Sequence, residues 1–297
     1  MKPVFHTIKT IKTHQSFLDK IVLAGNGKKL LIVSEGRVVE LIDIETEKIL
    51  HTFTDHTESI LDIAINYDGS IAVSSSEDKT IIVRNLLTGD IITTFKGHQD
   101  SVNAISINKE GNIIASASWD ETIRIWNLPE KKEDSAVTGL KSIVYNVSLN
   151  SLGNKLSADI GDGAIRIWDL TTGQEVNVFE SETEEFNSIW LSGNSKLLAH
   201  DTEDFDVLVW DTEKNTLLYQ LDGHELDIIQ VAMNHDATIL ASISEDGTMK
   251  IWDLLTGELA ISIACPDGFF NGLSMNYEGS VIAISSSDCT IRILGRQ

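Results

Sequence analysis

Histidine and aspartate recur in this chain at a spacing that could signal chemistry. His14, His56, His98 and His224 share one register, and Asp78, Asp120, Asp162, Asp204, Asp246 and Asp288 share a second. An imidazole beside a carboxylate can act as a general base, and several such groups together can hold a metal. A metal needs three or four ligands converging on one point. Members of each register stand 42 residues, or a multiple of 42, apart, so the elements that carry them decide whether they can converge.

The repeat is clearest at SASWDETIRIWNL, Ser116 to Leu128, where a β-branched run lies between an aspartate-bearing turn and a tryptophan. Trp126 is followed at 42-residue intervals by Trp168, Trp210 and Trp252, each preceded by an alternating apolar run. Arg84, Ile42 and Leu294 continue the register without the indole. Seven copies of 42 account for 294 of the 297 residues. Self-similarity at this period signals a solenoid, propeller or array, and it takes precedence over domain counting by length.

Within residues 98–139 four short segments alternate apolar with polar: Val102 to Ile107, Ile113 to Ser118, Thr122 to Trp126, and a weaker Ser135 to Val137. Turn residues separate them, and no stretch holds a 3.6-residue period, so each copy reads as four strands. Gly27, Gly69, Gly111, Gly153 and Gly279 fill one hairpin column, replaced by Ser195 and Ala237 in two copies. The PEKKED run at Pro129 to Asp134 reads as a solvated hairpin tip. A four-stranded sheet apolar on both faces needs neighbours, and seven can close radially into a propeller. The last copy stops after its third strand, while residues 4–11 have the register of a fourth. The fold expected is all-β: one seven-bladed propeller over residues 1–297, closed by the N-terminal strand joining the last blade.

A formal charge of -22 argues against a nucleic-acid partner and against acidic membrane surfaces. The N-terminus lacks the apolar core of a signal peptide and no run of 18 apolar residues occurs, so a cytoplasmic, non-membrane protein is expected. Cys265 and Cys289 are too few for a disulfide framework and read as reduced thiols. No nucleophile elbow, phosphate-binding glycine loop or clustered Cys/His motif is present.

Gly97-His98 opening a copy and Trp126-Asn127 closing its third strand, with Gly223-His224 and Trp252-Asp253 in another copy, give the chain its family likeness. It resembles a seven-bladed WD-repeat propeller over its whole length. The resemblance implies a hydrogen-bonded tetrad inside each blade: aspartate to histidine, histidine to a hydroxyl, hydroxyl to the indole. Two copies carry every member: His98, Ser116, Asp120 and Trp126, and His224, Ser242, Asp246 and Trp252. On this reading the repeated histidines and aspartates are structural. No catalytic residue, metal or cofactor is assigned.

Trp190 stands alone in a column of small residues on the innermost strand, and packing between blades is expected of it. The resemblance also places three columns on the upper face around the channel mouth. Their members include Phe17, Asp227, Glu185 and Phe269 in the first, Asp19, Leu61, Asn103 and Tyr145 in the second, and Glu35, Glu77, Trp119 and Glu245 in the third. Seven of the 21 positions are acidic and none is Lys or Arg, where 45 acids in 297 residues would place about three. Aromatics beside carboxylates suit a cationic side chain. The function expected is a non-catalytic scaffold presenting this face to a basic peptide or protein segment, as a monomeric propeller within a larger complex. Two alternatives stand beside it. One is an enzyme or small-ligand binder using the channel mouth; the other is an engineered repeat protein, against which the copies differ heavily at surface and tetrad positions.

Overall fold

The computed structural model describes residues 3–13, 18–180, 186–265 and 268–297. Among them are 28 strands in seven antiparallel sheets of four, a seven-bladed β-propeller. Blades 1 to 6 take consecutive strands from residues 18–53, 60–96, 102–137, 146–180, 189–221 and 228–264. Blade 7 joins Phe270–Met275, Val281–Ser286 and Thr290–Arg296 to the N-terminal strand Phe5–Lys12. That strand pairs in antiparallel register, Thr7 opposite Leu294 and Ile11 opposite Ile291. Both ends of the chain thus build one sheet, and the closing strand begins one residue later than the alternation predicts.

The first strand of each blade is innermost, and these strands touch in a closed circle from blade 1 through blade 7 and back. Alternating apolar residues on both faces of each blade meet those of its neighbours. Ile11, Ile291 and Ile293 of blade 7, for example, pack with Leu18, Ile21 and Ile32 of blade 1. Covering apolar area at about 25 cal/mol per Å² is what makes the ring hold without a central core. No helix of the described residues is long and apolar enough to cross a membrane.

Local backbone geometry explains the repeated turn. The hairpin between the first two strands is left-handed in every copy, with φ from 68° to 78° at Gly27, Gly69, Gly111, Gly153 and Gly279. Ser195 at 61° and Ala237 at 58° adopt the same conformation despite carrying a Cβ, which costs about 1 kcal/mol or more each. One local expectation is corrected. Only the first part of PEKKED is a hairpin tip, because Lys132–Val137 is the outer strand of blade 3 and pairs with Ile123–Asn127. Asn127 takes Lys132 as partner, and Arg124 of the inner neighbour pairs with Glu133.

Candidate functional site

Of the two registers, His56, His98 and His224 with Asp78, Asp120 and Asp246 are engaged within single blades, and His14 lies outside the described residues. In blade 3, His98 Nδ1 lies 2.9 Å from Asp120 Oδ2 and its Nε2 2.7 Å from Ser116 Oγ, while the Trp126 indole N–H donates to the same hydroxyl at 2.9 Å. Blade 6 repeats this with His224, Asp246, Ser242 and Trp252 at 2.8 to 3.0 Å. A threonine two residues after each aspartate adds a further bond, Thr122 to Asp120 at 2.6 Å and Thr248 to Asp246 at 2.7 Å. Burial alone would raise the Asp246 carboxyl, but bonds from Thr248, His224 and the Glu225 N–H hold it down to about 2. Burial pushes His98 and His224 below the usual imidazole value despite the facing carboxylates. Each imidazole is therefore neutral near pH 7, donating through Nδ1 and accepting through Nε2.

Two blades rebuild the network with other residues. In blade 2 His56 bonds Asp78 and Ser74 at 2.8 Å each, but Arg84 replaces the indole. The guanidinium pairs with Asp55 and lies 4.3 Å from the Phe53 ring centroid, filling the indole's place with a stacked cation. In blade 5 His200 occupies the hydroxyl register and accepts from the Trp210 indole at 3.0 Å, while its own Nδ1 meets the Asp201 carbonyl at 2.8 Å. Sequence reasoning missed this substitution. The signal was present, since His200 stands ten residues before Trp210 as Ser116 does before Trp126. Burial depresses His200 to about 4.

Beside it lie Asp159 and Asp201, buried residues of blades 4 and 5 that each stand at about 6. Burial raises both, and the neighbouring negative charge adds to the rise at Asp159. Asp201 accepts the backbone N–H groups of Asn187 and Ser188, and Asp159 that of Gly161. No residue pattern marked this pair in the sequence.

The columns expected around the upper mouth fall where the inner strands begin and where the second strand turns into the third. In blades 1, 2, 3, 6 and 7 the inner strand carries a bulge, and the residue it sets out of register is Asp19, Leu61, Asn103, Ile229 or Asn271. A bulge re-aims the extra side chain, so one column is lifted out of the pleat in five blades. The other two columns meet through backbone bonds: Glu77 N–H to Ser59, Trp119 to Ser101, Glu245 to Asp227, and Ser287 to Phe269, all near 3 Å. Trp119 is 48% and Phe269 47% exposed, and Glu35, Glu77, Asp227 and Glu245 are exposed carboxylates.

Asp19 is half-buried and accepts the Gly36 N–H at 2.9 Å. Asn103 is spoken for by the Val144 and Tyr145 carbonyls at 2.6 and 2.9 Å. Leu61 and Tyr145 are half-buried, and the Tyr145 ring covers Gly161 so closely that a Cβ there would lie 2.8 Å from it. Phe17 and Glu185 lie outside the described residues. The surrounding loops are less uniformly acidic than the three columns: Arg37 pairs with Glu58 at 2.9 Å and Lys79 lies 3.8 Å from Asp100.

Inside the ring runs a channel of about 320 Å³. Asp19, Asp62, Asn187 and Asn271 line it near the upper mouth, and Trp190 forms part of its wall while packing against the apolar clusters on both sides. The expected packing role of Trp190 and its exposure to the channel coexist. At the lower end the residue one past the Asn66 register lines the channel in each blade, with a side chain in five blades and as Gly25 and Gly193 in the other two. Lys109 Nζ sits 4.8 and 4.5 Å from the Tyr67 and Tyr277 centroids, Tyr277 stacks on His235 at 4.1 Å, and His235 bonds the Ser151 hydroxyl at 2.9 Å. Backbone bonds then link all seven lower hairpins in a circle, Asn26 to Tyr67, Tyr67 to Lys109, and onward through Ser151, Gly193, His235 and Tyr277 to Gly25. This plug was not anticipated from the sequence, where its members are chemically unlike one another.

A family model described as the IFT122 first beta-propeller matches residues 20–294. The chain belongs to that family. The match to the IFT122 first-propeller family runs from the inner strand of blade 1 to the third strand of blade 7, so it covers the plug and every member of the upper columns but Phe17 and Asp19. No curated protein matches the chain. Among the described residues no group of three or more His, Cys, Asp and Glu side chains could hold a metal ion. The Cys265 thiol lies 3.0 Å from the Ser286 hydroxyl.

Proposed function

We propose that this chain is a WD-repeat propeller serving as a non-catalytic scaffold, whose upper face binds a basic segment of a peptide or protein partner. The observation that carries the reading is that Trp119, Phe269, Glu35, Glu77, Asp227 and Glu245 are all exposed at positions where an inner strand begins or a second strand turns into a third. An exposed aromatic gives a cation a quadrupole and a large area to cover, and nearby carboxylates supply the charge pairing. The rigid, mutually bonded turns beneath them lower the ordering cost of association. The overall charge of -22 favours basic partners by long-range attraction. The setting proposed is cytoplasmic, one propeller within a larger assembly.

The test is a peptide array of arginine- and lysine-rich segments with matched glutamine-substituted controls. Binding confined to the basic peptides and lost in Trp119→Ala or Phe269→Ala supports the reading. Equal binding to the glutamine controls, or loss only in variants of the lower face, sinks it.

A further inference from the structure

The channel is built as a cup with one entrance. Its lower end is spanned by Tyr67, Tyr277, His235 and Lys109 in mutual contact, whereas the upper end carries no such bridge among the described residues. The Lys109 ammonium is already held over two tyrosine rings, so the floor has little need of a further cation. About 320 Å³ lies above it, within the range of small-ligand pockets and enough for one long side chain.

The groups left over near the mouth are mainly acceptors. Asn271 lines the cup, set out of register by its bulge, and both its side-chain oxygen and nitrogen are buried without a hydrogen-bond partner among the described residues. Buried polar atoms are normally paired, and an unpaired pair in a cavity wall points to something that enters. Asp62, on blade 2, faces the same space and bonds the Ile105 N–H at 2.9 Å, but no cation among the described residues lies within ion-pair distance of it. Burial raises its carboxyl, with Lys20 opposing at longer range, so the charge is held at a cost that a cation would relieve. Trp190 stands two residues further along its own strand register, about 7 Å deeper, and offers an aromatic wall.

We infer that the cup takes the guanidinium of an arginine side chain, which donates to the Asp62 carboxylate and the Asn271 carbonyl and lies against Trp190. A guanidinium matches because it brings five donors and no acceptor to a site rich in acceptors. This rests on the proposed basic partner, of which the arginine would be one residue, and it names the one that enters the ring.

The experiment titrates N-acetyl-arginine amide into the folded protein while the indole N–H signals are followed by NMR, with Trp190→Phe identifying the channel signal. A saturable shift of that signal is expected, with N-acetyl-citrulline amide, of similar shape but uncharged, binding at least about tenfold more weakly. Asp62→Asn keeps an acceptor for the Ile105 N–H and should weaken arginine amide by about the same factor without lowering the melting temperature. Asn271→Leu should also weaken it. No saturable shift, an equal response to citrulline amide, or indifference to Asp62→Asn in a folded variant overturns the inference. Trp119→Ala should leave arginine amide untouched while weakening a long basic peptide, so the cup and the upper face fail separately.

Discussion

The indole N–H of Trp210 donates to Nε2 of His200 at 3.0 Å, where the complete blades use a serine hydroxyl. The histidine therefore moves from one corner of the network to another, and it must stay neutral to accept. Its buried position, which pushes it down to about 4, secures this across the neutral range. Removing the acceptor with His200→Ala should cost about 1–3 kcal/mol, because the indole N–H is left without a partner in a half-buried site. His200→Gln should recover part of that loss. Thermal unfolding of both variants decides it; equal losses would mean that packing, not the bond, matters at this position.

In the complete tetrads the same logic applies to the other partner. Trp126→Phe removes the donor to Ser116 and opens space beside Phe95, which stacks on the indole at 4.8 Å. A loss of about 1–3 kcal/mol is expected. Leu294→Phe, in a blade without the hydrogen-bonded indole, should cost less, and similar losses at the two sites would contradict a stabilising role for the network.

How much of this was readable before the structure depended on whether a signal repeated. The 42-residue period exposed the blades and the register of the closing strand because the four-stranded sheet is one physical problem solved seven times, and the His–Asp–Ser–Trp columns because two copies keep every member. The features that were missed are those where the copies differ: His200 standing for serine, Arg84 stacked on Phe53 in place of an indole, and Asp159 beside Asp201. The lower plug is the clearest case. Gly25, Tyr67, Lys109, Ser151, Gly193, His235 and Tyr277 share one column, yet they make sense only between blades, where Gly25 leaves room for the ring of Tyr67 and Gly193 for that of His235 in the next blade. The bulges that lift Asp19 and Asn271 were likewise invisible to alternation.

The plug yields a steric prediction. A Cβ at Gly193 would overlap Nδ1 of His235 and Oγ of Ser151, which are bonded to each other across that glycine. Gly193→Ala should therefore destabilise by about 1–3 kcal/mol, and His235→Ala in the same chain should relieve most of the added loss. Additive losses in the double variant, measured by chemical unfolding, would refute the contact.

Asp159 and Asp201 give a pH dependence of defined sign. Both stand at about 6 in the folded chain, above the value near 3.9 of an unfolded aspartate. The folded state thus takes up protons between about pH 4 and 6, and their contribution makes stability fall as pH rises through that window. Asp159→Asn removes one titrating group facing Asp201, Asn146 and the Gly161 N–H. The melting temperature of the variant relative to the parent should rise from pH 5 to pH 7.5. A difference that stays constant over that range would show that Asp159 does not titrate there.

Closure predicts cooperative loss at a distance from the deletion. Phe5 and Ile11 are buried in the last blade, and the strand they belong to covers Thr290–Arg296. Deleting residues 1–12 exposes that strand as an apolar edge, so a lower melting temperature and self-association are expected. Unchanged melting with a monomeric product would show that the ring does not need its N-terminal strand.

The upper face is tested most directly by measuring the affinity of the tightest-binding member of an arginine- and lysine-rich peptide library for single alanine variants of Phe17, Trp119, Tyr145 and Phe269, beside Leu152→Ala and Leu255→Ala on the lower hairpins. At least one upper-face variant should weaken binding by about 5- to 30-fold, the loss typical of a buried aromatic anchor. The parent affinity should fall as salt rises from about 50 to 300 mM. The lower-face variants should bind as the parent does. If all four upper-face variants bind like the parent while Leu152→Ala or Leu255→Ala does not, the partner sits on the opposite side of the ring and the central claim is wrong.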